Sequence, residues 1–249
     1  MAEAPPVPES VGALAEYAAA AAVVIDRVHA ELHQVSAPGF RAVIAGTDLT
    51  RPHRGLLLTL RYALPRGPMT RTAVRLALRY HTSEQIEEAV DELARDGWLA
   101  SDGRRPHGQG TRFLTLVYDV HAEVARRQWG PAERPAAATQ RLLDAARESG
   151  GPAFAVMSPP YERPGDPSGL LLFNRLAAFR YHRADAHAAA WQAAGLTAEE
   201  IVRLGPGERR DRIERETNQN AAAPFAVLGA RERGDFLAWL DGLPGPSTS

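Results

Sequence analysis

The chain of 249 residues has a formal net charge of −1, so it lacks the overall positive field that is typical of many nucleic-acid-binding proteins. Every one of its 29 basic residues is arginine, and the absence of cysteine excludes disulfides, thiolate metal sites and cysteine nucleophiles. The sequence has no run of 18 apolar residues and no signal-peptide pattern at its start, so we expect a cytoplasmic protein that is not in the membrane.

The first predicted elements are a Pro-rich disordered tail over residues 1–9 and a long helix from Ser10 to about Gln34. This helix has a wide apolar face, which must be covered by another element or by a second subunit. We expect residues 36–39 to break it and a short helix to follow over residues 40–45. Pro52 is expected to open the next helix, because proline is favoured in a first helical turn.

The segment from Pro68 to Val117 shows the clearest pattern in the chain. It predicts a helix capped by Thr70, a second helix capped by Thr82 or Ser83, and a Gly C-cap at residues 96–97. The second helix has its apolar stripe at Ile86, Val90 and Leu93. Residues 98–100 are predicted as a strand, 102–110 as a Gly-rich loop and 113–117 as a returning strand.

The order helix, turn, helix, strand, loop and strand resembles the MarR (multiple antibiotic resistance regulator) class of winged helix-turn-helix proteins. The segment IEEAVDELARDGWL and the basic, Gly-rich loop after it carry the resemblance, which covers about a fifth of the chain directly. It implies a mainly α fold: a winged helix-turn-helix with a small β-wing plus additional helices from the C-terminal half. It also implies a DNA-binding transcriptional regulator that acts as a homodimer.

Candidate DNA contacts lie on the predicted wing, the first helix and the start of the second helix. The wing would place cations on phosphates, the first helix carries an arginine every four residues, and the second helix would read bases. The candidates on the wing are Arg104, Arg105, His107 and Arg112. Those on the first helix are Arg71, Arg75 and Arg79, and those at the start of the second helix are Thr82, Ser83 and Gln85. However, the second helix also exposes five carboxylates, at positions 84, 87, 88, 91 and 92, that would face a polyanion. The alternative is therefore a winged-helix scaffold without DNA binding that binds a small molecule or a protein partner.

The second half predicts further helices and few other elements. We place an N-terminal domain at residues 10–130, a helical C-terminal domain at 131–243 and a disordered tail at 244–249. The predicted elements are helices 119–129 and 136–149, a short strand 153–157, a loop 158–169, a helix 170–194 capped by Ser168 and ended by Gly195, a helix from the Thr197 cap to Leu204, and helices 207–222 and 229–242.

Part of this half is similar to actinobacterial helix-turn-helix proteins of unsettled function. They share a helix with the pattern R-x-H-R-x-D-x-H, an A-G-L turn after it, and a later I-E-x-x-T segment followed by A-x-P. The matching residues here are Arg180, His182, Arg183, Asp185 and His187, then 194–196, and later Ile213, Glu214, Thr217, Ala223, Pro224 and Phe225. The chain has too few residues between these segments for the second winged helix that such proteins often contain.

The helix 170–194 has an unusual face. At 100° per residue, Arg180, Arg183 and His187 fall on the side of Leu172, Leu176 and Phe179. Buried arginines need partners, and the candidates are Glu162, Asp166, Glu214 and Glu216. The functional hypothesis is a pocket for a small anionic ligand held by Arg180, Arg183 and His187. The alternative is a structural salt-bridge network.

No metal site, cofactor or enzymatic activity is predicted. His182 and Asp185 fall on the opposite side of this helix from His187, which is poor geometry for one metal ion. The common hydrolase, P-loop and dinucleotide motifs are absent from the sequence. His29, His33, His53 and His121 lie in amphipathic helices, where a surface or core-edge position is usual. We interpret the chain as a MarR-like regulator whose first and C-terminal helices form the homodimer contact.

Overall fold

The computed structural model describes residues 11–245, and almost all regular structure in it is helical. The mainly α fold class is confirmed. Within the described residues the β structure is limited to one isolated bridge, between Leu99 and Pro106. Of the two tails predicted to be disordered, residues 1–9 and 246–249 lie outside the described residues, and only residues 244 and 245 of the predicted tail 244–249 are described. Across residues 11–245, no helix combines the length and the apolar character needed to cross a membrane.

The chain order of the helices is as follows. The eleven α-helices of the described part are α1 Val11–Ile44, α2 Arg51–Leu60, α3 Arg71–Ala77, α4 Ser83–Arg95, α5 Gln109–Trp129, α6 Glu133–Ala146, α7 Pro152–Met157, α8 Ser168–Ala193, α9 Ala198–Arg203, α10 Glu208–Asn220 and α11 Ala230–Asp241. Two short 3-10 helices, Leu64–Arg66 and Ala223–Val227, join α2 to α3 and α10 to α11.

Helix α1 is longer than predicted. The expected break at residues 36–39 is wrong, because the helix continues through Pro38 to Ile44. Pro38 lies on the exposed side, while Phe40, Val43 and Ile44 pack on the core beneath α2–α4. Since burial of these three side chains is worth several kcal/mol, it offsets the roughly 3 kcal/mol cost of an internal proline.

The three helices α2, α3 and α4 begin where the sequence predicts. Thr50 and Thr70 cap α2 and α3, and Pro52 stands in the first turn of α2. Thr82 forms a capping box with Gln85 at the start of α4. Buried residues of α4 include Ile86, Val90 and Leu93, as their spacing requires.

The predicted returning strand of the wing is wrong. Residues 113–117 belong to α5, and the preceding strand is reduced to the bridge at Leu99. What joins α4 to α5 is a hairpin-like turn over residues 96–108, in which the amides of Ala100 and His107 donate to the carbonyls of Arg105 and Trp98. The periodicity explains the helix: the buried positions 113, 114, 117, 118, 121 and 122 recur at helical and not at strand spacing.

Two further predictions around α7 and α8 are corrected. The expected strand at 153–157 is the short helix α7, whose amides at Ala153 and Phe154 donate to the Asp185 carboxylate. The expected Ser168 cap of α8 is absent. The Ser168 hydroxyl instead accepts from the Ala132 amide at 2.9 Å and donates to Glu133, so it stabilises the start of α6.

Helix α8 is the central element of the fold. It packs against α1, α5, α6, α7 and α10, and most of its residues are buried. The largest core surrounds it and takes side chains from both sides of residue 130, a second core lies beneath α2–α4, and a small third one joins α8 to α9 and α10. Most polar side chains on α8 therefore lie inside the protein or at junctions between helices, whereas Arg180 and Gln192 are exposed.

Candidate ligand site

A cavity of about 360 Å³ lies where α1, α8 and α10 meet. All three residues predicted to bind a ligand line it: Arg180, Arg183 and His187. The other polar residues that line it are Asp26, Tyr80, His182, Glu214 and Thr217. The apolar wall consists of Ile25, Phe179, Phe225 and several alanines. The face of α8 that carries Arg180, Arg183 and His187 thus lines a cavity.

Arg180 is held on the α1 side of the cavity. Its Nε donates to the Asp26 carboxylate at 2.6 Å, and its Nη1 donates to His29 Nδ1 at 3.1 Å. Asp26 was not among the partners predicted from the sequence. The available signal was that Asp26 is the one carboxylate between Glu16 and Glu31 in an Ala-rich stretch.

Arg183 and His187 share Glu214 on the α10 side. Arg183 donates to the Asn218 amide oxygen at 2.8 Å and to Glu214 at 3.4 Å. His187 Nε2 lies 3.8 Å from Glu214, and its Nδ1 shares a hydrogen bond of 3.1 Å with the Tyr80 hydroxyl. Of the four predicted partners, Glu214 is therefore the one that reaches this face. Glu162 and Asp166 pair with other arginines, Arg175 and Arg163.

The charges of the cavity wall balance. Two guanidinium groups face two carboxylates, and burial lowers the pKa of His187, against the opposing effect of Glu214, so this imidazole is neutral at pH 7. Burial also lowers the pKa of Arg183. The Nε2 atom of His187 is buried and has no hydrogen-bond partner. An unpaired polar atom at a cavity wall provides a hydrogen-bonding position for a guest.

The predicted arginine stripe of α3 is not a free cationic surface. Arg71 donates to Glu87 at 2.8 Å and to Asp91 at 2.5 Å, and Arg75 donates to Glu87 at 2.5 Å. The Arg79 side chain does not pair with α4 but forms an ion pair with the buried Asp185 on α8. The acidic residues of α4 thus neutralise the basic residues of α3.

The predicted base readers at the start of α4 are partly occupied. The Thr82 hydroxyl accepts from the Gln85 amide, and the Gln85 side chain accepts from the Thr82 amide, both at 3.2 Å. Ser83 is exposed and lines a groove between α3, α4 and α8. Two of the three side chains therefore cap the helix.

The turn between α4 and α5 carries the remaining predicted DNA contacts. Arg104, Arg105, His107 and Arg112 are all exposed. The Arg104 side chain is near the Met69 carbonyl at 3.4 Å, whereas Arg105 and Arg112 form no ion pair with any residue between 11 and 245. These four residues form a cationic cluster, which we call the turn cluster.

His182 and Asp185 have partners other than a metal. The Ser149 hydroxyl and His182 Nε2 share a hydrogen bond of 3.0 Å, and burial lowers the pKa of His182 to about 4. Asp185 accepts from Arg79 and from the first turn of α7. In the described part of the chain, no three His, Asp or Glu side chains are arranged to hold a metal ion.

Some histidines are buried more deeply than the surface or core-edge position that the sequence predicts. His121 is 1% exposed, and it joins His29 and His33 around Phe173, beside the buried Arg61. Position in an amphipathic helix could not show this, because the covering side chains come from α2 and α8.

No family model, curated protein or solved structure matches the chain. The geometry of its sites is therefore the basis for assigning a function.

Proposed function

We propose that this protein binds a small molecule in the cavity between α1, α8 and α10. The ligand would combine an apolar body with one carboxylate or a similar hydrogen-bond acceptor. The observation that carries the proposal is the composition of the wall: aromatic rings on one side, and on the other two arginines with the unpaired His187 Nε2. Such cavities, mostly apolar with a few convergent polar groups, are the usual form of small-molecule sites.

The arginines retain donors for a ligand. The Nη2 atom of Arg180 and the Nε atom of Arg183 have no partner among residues 11–245, since their hydrogen bonds use other nitrogens. A guanidinium group has five N–H donors, so a carboxylate can bind without displacing every protein contact. Because Asp26 and Glu214 balance the two cations, a ligand with one negative charge fits this wall better than a polyanion does.

The test is a thermal-shift and calorimetric titration with benzoate as the acidic probe and benzamide as its neutral counterpart. We expect benzoate to raise the Tm of the wild-type protein. Arg183→Gln should weaken benzoate binding at least tenfold, because it removes the positive charge that pairs with the carboxylate. Glutamine is chosen because its amide still offers hydrogen-bonding groups. The matched control is Arg203→Gln, since Arg203 also pairs with a glutamate but lies on exposed α9.

A second variant separates ligand binding from a structural role. Ala22→Leu adds volume at the cavity wall and leaves every ion pair in place. It should abolish benzoate binding at unchanged stability. The proposal is contradicted if benzoate has no effect on the wild type. It is also contradicted if Arg183→Gln melts early while Ala22→Leu still binds the probe, because Arg183 is then a structural residue.

A second candidate function is DNA binding by a MarR-like helix-turn-helix protein acting as a homodimer, with α4 in the groove and the turn cluster in place of a wing. What favours it is the exposure of Arg104, Arg105, His107 and Arg112, together with the absence of ion pairs at Arg105 and Arg112 in the described residues. What disfavours it is the acidic surface of α4, where Glu84, Glu88 and Asp91 are exposed. Duplex binding at low salt tests it.

A further inference from the structure

Arg61 is a buried cation without a carboxylate. It follows α2 and is 3% exposed. Its guanidinium donates to the Leu58 carbonyl, the Tyr62 hydroxyl and His33 Nε2, and it lies over the Tyr62 and Phe173 rings. No carboxylate among residues 11–245 pairs with it. The ionisable groups that act on it are the hydroxyls of Tyr118 and Tyr181, which burial keeps uncharged at pH 7, and another cation, Arg180. Burial lowers the pKa of Arg61 to about 10, so it remains charged at pH 7.

Three neutral imidazoles surround this cation. The ring centroids of His29 and His33 are 4.6 Å apart, and those of His33 and His121 are 5.2 Å apart. Burial lowers the pKa of all three, that of His33 to about 3, and the positive charge of Arg61 adds to the effect. Arg61 thus holds a full positive charge among uncharged rings.

Two polar atoms in this cluster are left unpaired. His121 forms a hydrogen bond with the Val117 backbone, which leaves its Nε2 atom buried and without a partner. The Nε atom of Arg61 is likewise buried and unpaired. Buried polar groups almost always have hydrogen-bond partners, so two unpaired nitrogen atoms beside a cation without a carboxylate point to a ligand site.

The positive charge of Arg61 determines which kind of ligand can bind here. Three imidazoles alone would suit a divalent metal, but the guanidinium among them repels any cation. From this arrangement we propose that Arg61, His29, His33 and His121 form a binding site for a small monovalent anion of the size of chloride or formate. The anion neutralises Arg61 and accepts from its Nε–H. His121 can add an Nε2–H donor in the tautomer that gives up its Val117 hydrogen bond, whereas the donations from Arg180 and Arg61 fix the tautomers of His29 and His33.

This anion site is separate from the ligand cavity but adjoins it. His29 is hydrogen-bonded to Arg180, which lines the cavity, whereas Arg61, His33 and His121 do not line it. The inference does not depend on the proposed function. Arg183→Gln should lose benzoate binding and keep the anion response, so the two can fail independently.

The experiment measures Tm against chloride or formate concentration, with ionic strength held constant by the bulky morpholinoethanesulfonate anion. Above its Kd, a bound anion should raise the Tm of the wild type by about 3–5 °C for each tenfold increase in concentration. Arg61→Met should abolish the dependence. Arg66→Met, which changes an exposed arginine in the same segment, should retain it.

An equal response in Arg61→Met, or no response in the wild type, would overturn the proposal. Imidazole ¹⁵N spectra of the wild type provide the measurement if Arg61→Met does not fold. Chloride should then shift the side-chain resonances of His33 and His121 and leave the exposed His81 and His107 unchanged. Shifts confined to the exposed histidines would also contradict an internal site.

Discussion

At the scale of single residues, Glu87 sets the charge of the surface between α3 and α4. Its two carboxylate oxygens accept from Arg71 and Arg75, and Asp91 takes the second hydrogen bond of Arg71. The sequence presents a basic stripe and an acidic helix as two opposing surfaces. Side-chain pairing neutralises Arg71 and Arg75 with Glu87 and Asp91, while Glu84 and Glu88 stay exposed and form no ion pair within residues 11–245. Among the predicted DNA contacts, the arginines without an ion pair in the described residues are therefore those of the turn cluster.

This pairing makes a prediction about duplex binding at low salt. Arg105→Ala/Arg112→Ala should weaken binding and reduce the slope of log K against log salt by about 2, because two phosphate contacts are lost. Glu87→Gln should strengthen binding, because it removes one negative charge and releases Arg75, while Arg71 keeps its ion pair with Asp91. Fluorescence anisotropy with a labelled duplex measures both effects.

The control for that measurement is Arg126→Ala/Arg127→Ala, which removes two exposed arginines from the far end of α5. It should bind the duplex as the wild type does. Equal affinity for all four proteins would show that the turn cluster does not contact DNA, and a scaffold without DNA binding would be favoured.

At the scale of elements, the turn into α5 depends on Gly110. This residue is buried in the first turn of α5, and a Cβ atom there would lie 1.9 Å from the Trp98 carbonyl oxygen. The Trp98 ring meets Phe113 edge-on, with the centroids 5.9 Å apart. The close approach of α5 to the end of α4 therefore requires glycine at position 110. Because α5 begins next to this contact, residues 113–117 form a helix and not the predicted second strand of a wing.

Gly110→Ala should destabilise the protein by about 3 kcal/mol or more, since backbone on both sides must move to relieve the overlap. Gly55→Ala is the matched control, because Gly55 is exposed in the interior of α2 and its Cβ would contact nothing within 4 Å. That change should stabilise by about 0.5–1 kcal/mol through helix propensity. Urea denaturation of both variants checks the pair, and a neutral Gly110→Ala would contradict the packing described for α5.

At the scale of the whole molecule, buried neutral histidines couple stability to pH. Burial depresses the pKa of His29, His33, His121 and His182 in the folded protein. On unfolding, each imidazole returns to its ordinary pKa of about 6.5 and takes up a proton below that pH. The stabilisation is therefore present above pH 6.5 and is lost as pH falls towards the folded values, about 4 for His182.

Between pH 6.5 and pH 5, His182 should account for about 2 kcal/mol of the lost free energy of unfolding. His182→Gln should remove that part of the pH dependence, and the exposed-site control His81→Gln should leave it unchanged. Urea midpoints at several pH values provide the measurement. If His182→Gln keeps the wild-type slope, the imidazole is not held neutral in the fold.

The homodimer contact is also a question for the whole molecule. The apolar face of α1, which needed a partner, packs against α5, α8, α10 and α11 of its own chain. A contact between two copies would therefore use other surfaces than this face.

Local rules were enough for much of the helical framework and for one wall of the candidate site. The caps at Thr70, Thr82 and Thr197 depend on groups within three residues, and helical spacing alone brings Arg180, Arg183 and His187 to one face. Hydrogen bonds and periodicities that span only a few residues can be predicted directly from the amino-acid sequence.

Tertiary packing decided the rest. The continuation of α1 past Pro38, the helical state of residues 113–117 and the pairing of Arg180 with Asp26 all depend on groups distant in sequence. The same holds for the burial of Arg61 among histidines from α1 and α5. Burial and charge pairing depend on which surfaces of the folded chain come into contact. The sequence shows which residues could form these contacts, but it does not determine which of them do.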